Sequence, residues 1–222
     1  MSYILNIETA TKNCSVSLGK EGIPLDVLEY TGEGYSHAEK LHVFIREILE
    51  RNHLSASDLS AVAVSKGPGS YTGLRIGVSA AKGMAYALDI PLISVGTLES
   101  LARQVQDDNA YIIPVIDARR MEVYSAVFDE KYRLIREVQA NILDNKPFDS
   151  YLHEKKVIFV GDATGKMKQV LQHPNACYAE KLYPSAEQMV EISYKKLLEK
   201  KFEDVAYFDP FYLKDFIITK KK

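Results

Sequence analysis

Short apolar runs bounded by turn residues recur along the chain. The first alternates from Tyr3 to Glu8, the second runs from Ser15 to Gly19, and after Lys20-Glu21-Gly22 a third extends near Leu25 to Tyr30. Each pattern is that of a strand. A helix is expected to open at Ser36, where Glu39 three positions on forms a capping box, and Leu41, Phe44, Ile45, Ile48 and Leu49 share one face. A strand at Ala61–Ser65, a glycine-rich loop, a helix over Leu74–Leu88, a strand at Leu92–Val95 and a short helix from Thr97 to near Gln106 follow.

Gln106-Asp107-Asp108-Asn109 is polar and turn-prone, and after it the same order begins again. Tyr111–Ile116, Val123–Phe128 and Leu134–Val138 read as three strands, Phe148–Lys155 as helical, and Val157–Val160 as a strand. Helices are expected at Lys166–Gln172 and Ala186–Lys201, the latter capped by Ser185 with Val190, Tyr194, Leu197 and Leu198 along one face. Letters are not repeated; architecture is. A meander followed by crossovers in each half predicts an α/β protein of two similar domains, 1–106 and 107–222, each with a mixed sheet. That arrangement fits the class of actin, sugar kinases and Hsp70-like ATPases. The C-terminal segment of the second domain is expected to pack back on the first.

Composition narrows the function classes. The 222 residues are 46% apolar, enough for a sizeable core, and 28 basic against 30 acidic side chains leave a net charge of −2. A stand-alone nucleic-acid binder usually carries a basic face, so the balance argues against that class while leaving open a nucleic-acid enzyme complex in which another subunit supplies the positive surface. Cys14 and Cys177 form no CxxC pair and suggest neither zinc nor redox chemistry. Sparse cysteine, an N-terminus unlike a signal peptide and no apolar run of about 20 residues predict a cytoplasmic protein with no membrane association.

The candidate sites mostly fail as catalytic motifs. Gly67, Gly69 and Gly73 give GxGxxxG, not the dinucleotide GxGxxG, and the next strand ends in Gly96-Thr97 without an acid for a ribose. Gly161-Asp162-Ala163-Thr164-Gly165-Lys166-Met167 is one residue short of a Walker loop, and Met167 stands where the magnesium-binding hydroxyl should be. As a turn it needs no other role, although an actin-like fold would hold nucleotide near such a turn. The first hairpin supplies Glu8 and Thr9 but no glycine before Cys14, so its backbone is poorly opened for phosphate. Asp117 and Arg119 could orient a phosphate or carboxylate, though a hairpin turn holding its own backbone is the stronger reading. His37 and His42, five apart, point about 140° from one another on a helix, and Ser36-His37-Ala38-Glu39 does not line up as a relay. Lys220–Lys222 reads as a solvated tail.

From Leu74 to Leu88 small or apolar residues occur on nearly every face, including Gly77, Ala81, Gly83 and Ala87. Such a helix needs cover all round, and its glycines suggest very close helix–helix approach: one side can pack on its own sheet, the other needs a partner from within the fold or from a second chain, and a subunit interface is the hypothesis taken here. On that reading a bulky residue at Gly77 or Ala81 abolishes association and leaves the monomer folded.

Lys66-Gly67-Pro68-Gly69-Ser70-Tyr71-Thr72-Gly73-Leu74-Arg75-Ile76-Gly77, with Glu8-Thr9-Ala10-Thr11 before it and Ile116-Asp117-Ala118-Arg119 after it, resembles the TsaB (YeaZ) family of bacterial tRNA threonylcarbamoyladenosine biosynthesis proteins. Phe208-Asp209-Pro210-Phe211-Tyr212-Leu213-Lys214 is similar to the family's C-terminal Pro-x-Tyr-Leu-Arg pattern, and the match runs in order from Tyr3 to Lys214. The resemblance implies an actin-like (ASKHA) fold with mixed five-stranded sheets, crossover helices and degenerate nucleotide motifs. It implies a non-catalytic activator with no cofactor, metal or catalytic residue of its own. Its partner is the paralogue TsaD, which carries the catalytic residues and a two-histidine helix motif that this chain lacks. TsaE joins through the complex, and the chain forms a homodimer when alone. By analogy the partner interface comprises Gly67, Pro68, Gly69, Ser70, Tyr71, Thr72, Gly73, Leu74, Arg75, Gly77, Ala81 and Met84. The rival readings are an ATP-dependent small-molecule kinase or phosphotransferase of the same superfamily and, third, a metallopeptidase.

Overall fold

The structure is a computed structural model and describes residues 1–32, 37–180 and 183–214. Strands β1 (Tyr3–Glu8), β2 (Asn13–Lys20), β3 (Ile23–Thr31), β4 (Leu59–Ser65) and β5 (Leu92–Val95) form one sheet in the order β3-β2-β1-β4-β5. The second sheet contains β6 (Ala110–Asp117), β7 (Glu122–Phe128), β8 (Leu134–Ile142), β9 (Lys156–Val160) and β10 (Ala176–Tyr178) in the order β10-β9-β6-β7-β8. Read from β8, that order repeats the first. In each sheet the first three strands pair antiparallel and the last two join in parallel. The repeat of architecture is therefore present, and the fold is α/β with two mixed five-stranded sheets. Strand β10 is the element that periodicity missed: three half-buried residues after Pro174 are too few to show alternation.

Among the described residues six α-helices accompany the sheets: α1 (His37–Arg51), α2 (Tyr71–Leu88), α3 (Thr97–Ala102), α4 (Asp149–Glu154), α5 (Thr164–Val170) and α6 (Met189–Leu198). The period-two alternation of β1 and β4 separates two cores. Leu5, Ile7, Val62 and Val64 join Leu41, Ile45 and Ile48 of α1 and Val78, Ala81 and Ala85 of α2. The opposite face, Ile4, Ala61, Ala63, Ile93 and Val95, takes Met189 and Ile192 from α6. The second sheet does the converse. Its outer core holds Phe148, Leu152 and Met167 beside α4 and α5, whereas its other face packs on Leu98, Leu101 and Ala102 of α3. Each sheet thus has one face covered by a helix encoded in the other half of the chain.

Local details depart from the periodic reading in understandable ways. Helix α2 starts three residues before Leu74 because the Ser70 hydroxyl accepts the Gly73 N–H as its cap. Ser185 does not cap α6; its hydroxyl accepts the Glu187 N–H in the preceding turn, and Leu198 is 66% exposed. The expected Ser36 cap and the Lys220–Lys222 tail lie outside the described residues. Cys14 is buried, Cys177 half-buried, and both are free thiols. Among the described residues no helix is long and apolar enough to cross a membrane.

Candidate functional site: the glycine loop, helix α2 and the hairpin cleft

The loop between β4 and α2 is shaped by what passes beneath it. Gly67 stands at φ 106°, a region that side chains avoid, and a Cβ there would meet the Phe211 carbonyl at 2.8 Å. Gly69, Gly73 and Gly77 then descend onto the β1–β2 hairpin. A Cβ at each would press into Ala10 O, Thr9 O and Thr9 Oγ1, respectively, closer than real Cβ contacts come. The Ser70 N–H donates to Ala10 O at 2.6 Å and Thr9 Oγ1 donates to Gly73 O at 2.8 Å, fastening loop to hairpin. His37, buried at the start of α1, has Nε2 2.7 Å from Thr11 O and takes part in the same packing; His42 is exposed.

These contacts divide the twelve residues assigned to a partner interface. Gly67, Pro68, Gly73, Leu74, Gly77 and Ala81 are buried within this chain; Gly69, Ser70, Tyr71 and Met84 are half-buried; Thr72 and Arg75 are exposed. The close approach inferred at Gly77 is to the chain's own hairpin, and Ala81 lies in the core beside α1. A bulky residue at either position would therefore disturb the monomer itself, contrary to the sequence reading. Gly83 differs: nothing lies within 4 Å of the place its Cβ would occupy. Nor is α2 covered all round. Thr72, Arg75, Ser79, Gly83, Tyr86 and Ala87 form an exposed stripe at helical spacing, with Tyr86 82% exposed.

The C-terminal segment borders this stripe. Lys82 donates to the carbonyls of Ala206 (3.2 Å) and Phe208 (2.9 Å), Arg75 Nε to the Tyr212 hydroxyl (3.2 Å), and the Phe211 N–H to Lys66 O (2.7 Å). Arg75 sits over the Tyr71 ring at 4.1 Å, and the Tyr71 and Tyr212 rings are 4.9 Å apart. The segment ends with the Lys214 ammonium on the Glu122 carboxylate. The Pro-x-Tyr-Leu pattern is thus a strap joining the glycine loop and α2 to the β6–β7 hairpin. Its place could not be read from periodicity, because it lacks regular secondary structure.

Between the two hairpins the polar groups are spent on the fold. Glu8 is fully buried; its Oε1 accepts from Ala10 N–H (2.6 Å) and Ser65 Oγ (2.8 Å), while Oε2 has no hydrogen-bond partner. Burial pushes its carboxyl up to about 7. Lys166, the would-be phosphate lysine, donates to Asp117 Oδ1 (2.6 Å), Arg120 O (2.9 Å) and Glu122 O (2.6 Å). Met167 lies in the core. Asp117 also accepts the Arg119 N–H at 2.8 Å, so this turn does hold its own backbone. Asp162 accepts the Asp117 N–H at 2.9 Å, and burial, helped by the Asp117 charge, lifts its carboxyl to about 6. A groove of about 670 Å³ lies beside α3, among Lys66, Leu98, Phe128, Tyr132 and Phe211, and contains no residue of either hairpin tip. Among the described residues no three His, Cys, Asp or Glu side chains gather as metal ligands.

Glu8 has a measurable signature. The unfolded chain releases this proton near 4.5, the folded chain only near 7. The folded state therefore binds the extra proton between those values, and its stability falls as pH rises through that window, by about 3 kcal/mol in all. Asp162, raised for the same reason, adds in the same direction. Urea melts from pH 4.5 to 7.5 are expected to show this decline, and Glu8→Gln to flatten much of it. An equal slope in the variant would contradict the assignment.

Known proteins of similar sequence and structure can be set against this geometry. The family model described as TsaD: tRNA N6-adenosine threonylcarbamoyltransferase matches residues 34–222. The tRNA threonylcarbamoyladenosine biosynthesis protein TsaB of Bacillus subtilis (strain 168) is 32% identical over 76% of this chain and 75% of its own length. The protein of that name from Escherichia coli (strain K12) is 30% identical over 98% and 97%. A crystal structure from Pseudomonas aeruginosa, described as an uncharacterized protein with similarity to peptidase YEAZ, superposes with a TM-score of 0.85 at 26% identity, covering 96% of this chain and 100% of that one. With glycine loop, paired sheets and full-length relatives in agreement, the chain belongs to the TsaB (YeaZ) family.

Proposed function

We propose that this chain acts in the formation of N6-threonylcarbamoyladenosine in tRNA as a non-catalytic partner that activates TsaD. The carrying observation is the state of the first hairpin. In an actin-like ATPase its acid and hydroxyl would serve metal and phosphate, whereas here Glu8 is buried under Ser65 and Thr9 is bonded to Gly73. Lys166 is likewise committed to the second hairpin. The relatives' name, tRNA threonylcarbamoyladenosine biosynthesis protein, supports the pathway. The kinase reading is set aside on the same geometry, and for the metallopeptidase reading no metal-ligand cluster gathers among the described residues.

TsaD docks, on this proposal, against the exposed stripe of α2, Thr72 to Ala87, flanked by Ser70, Tyr71, Arg75 and Met84. The buried members, Gly67, Pro68, Gly73, Leu74, Gly77 and Ala81, together with half-buried Gly69, seat the helix from within. The chain pairs with itself through this face when alone, reaches TsaE and tRNA through the TsaD complex, needs no cofactor and works in the cytoplasm. We take 1–106 and 107–222 as its two subdomains, a division supported by the strand content of the two sheets, with α6 packed back on the first.

A reconstituted modification assay tests the proposal. TsaD is expected to modify tRNA substantially only when this chain is added, and titration of the isolated chain with Mg-ATP is expected to show no turnover. Modification by TsaD alone at the full rate, or ATP turnover by this chain, would overturn it.

A further inference from the structure

The chain has eight arginines, and among the described residues six of them find a partner for the guanidinium group. Arg46, Arg51, Arg103 and Arg133 face carboxylates, Arg75 the Tyr212 hydroxyl, and Arg136 the Pro147 carbonyl and Ser125 hydroxyl. The remaining two are adjacent. Arg119 and Arg120 form the exposed tip of the β6–β7 hairpin, at φ 66° and 51°. Ala118 and Glu122 close the hairpin around three residues, Arg119, Arg120 and Met121, and the first two stand in the left-handed region that favours glycine and asparagine. Two arginines are held there against that preference, and strained positions of this kind concentrate where a side chain is presented for use.

The surrounding carboxylates are engaged with other groups. Asp117 is taken by Lys166 and the Arg119 N–H, Glu122 by Lys214, and Asp162 accepts the Asp117 N–H. Exposed Lys12, on the opposing hairpin, is near enough to act electrostatically on Asp162 and adds a third cation without a carboxylate partner at hydrogen-bond distance. Guanidinium forks match phosphate oxygens in a bidentate geometry, and a compact lysine complements them as a point charge. We propose that Arg119 and Arg120, with Lys12, form a contact surface for the phosphodiester backbone of RNA, so that within the complex this chain itself holds part of the substrate. The inference rests on the reading that the substrate is tRNA, and it gives one end of the hairpin cleft a use that nucleotide binding does not.

The test measures fluorescence anisotropy of a labelled anticodon stem-loop RNA titrated with the complex of this chain and TsaD, from 50 to 200 mM salt. Arg119→Glu with Arg120→Glu is expected to weaken binding at least tenfold and to lower the slope of log affinity against log salt by about 2, the signature of two lost phosphate contacts. Arg119→Gly with Arg120→Gly relieves the left-handed backbone and keeps the turn, so it should fold at least as well yet bind RNA as weakly as a charge-deleted surface. Lys131→Glu, at the far end of β7, should change little. Unchanged affinity and slope in both arginine variants, or an equal loss with Lys131→Glu, overturns the proposal. If the glutamate variant instead fails to co-elute with TsaD, the tip holds protein and not RNA, and the inference falls while the partnership with TsaD stands.

Discussion

Gly77→Val is expected to lower the stability of the isolated chain by about 3 kcal/mol. The new Cβ enters the space of Thr9 Oγ1, and the β-branched methyls follow it toward Ile7. Overpacking of this kind costs about 1–3 kcal/mol. Displacing Thr9 also sacrifices its bond to Gly73 O, worth about 1 kcal/mol. Helix propensity runs the other way, but valine in place of glycine gains only about 0.4 kcal/mol. The clash wins. For a chain of this size the melting temperature should fall by roughly 6–12 °C. Because the conflict is with one oxygen, Thr9→Ala combined with Gly77→Ala should be less unstable than the two single changes summed. An unaltered melting curve for Gly77→Val would mean that the hairpin does not lie under α2.

Gly83→Arg should do the reverse, leaving the fold intact and removing the partner. No atom lies near the position of its Cβ, and replacing glycine within a helix raises intrinsic stability by up to about 1 kcal/mol. The melting temperature is expected to hold or rise. The side chain would project from the middle of the stripe bearing Ser79 and Tyr86, where TsaD is proposed to seat. Obstruction at the centre of an interface costs at least about 2 kcal/mol, near a 30-fold loss of affinity. Calorimetric titration against TsaD, with the modification assay in parallel, reads both. Undiminished affinity would place the docking surface elsewhere, and Tyr86→Ala would then be expected to have no effect either.

Comparing these two glycines shows what the sequence could and could not convey. Strand and helix positions were legible where apolar residues recur with a clear period, as in β1, β4, α1 and α2. A helix of small residues announces that something approaches closely, but the letters do not say from which side. Gly77 and Gly83 look alike in sequence; one rests on Thr9 and the other opens to solvent, since that depends on the distant β1–β2 hairpin packing beneath the helix. Glu8 was legible as a candidate acid, not as a buried one, because burial comes from β4 and Ser65. The strap at Phe208–Lys214 was visible as a motif without a location. The Arg119–Arg120 turn was hidden differently: nothing local signals that two arginines will occupy left-handed positions where glycine is favoured.

The crosswise placement of α3 and α6 has a mechanical consequence. In a two-lobed molecule whose lobes are self-contained, a cleft can open about a hinge with little else disturbed. Here, separating the lobes would pull Met189 and Ile192 from beneath Ile4 and Ile93, and Leu98 and Leu101 from beneath Ile112 and Ile116. Sliding one lobe past the other would disturb both sets of contacts. The chain resembles a dovetail joint, and a force applied at the α2 face is carried into the second lobe as displacement of the whole body instead of being absorbed by a bend.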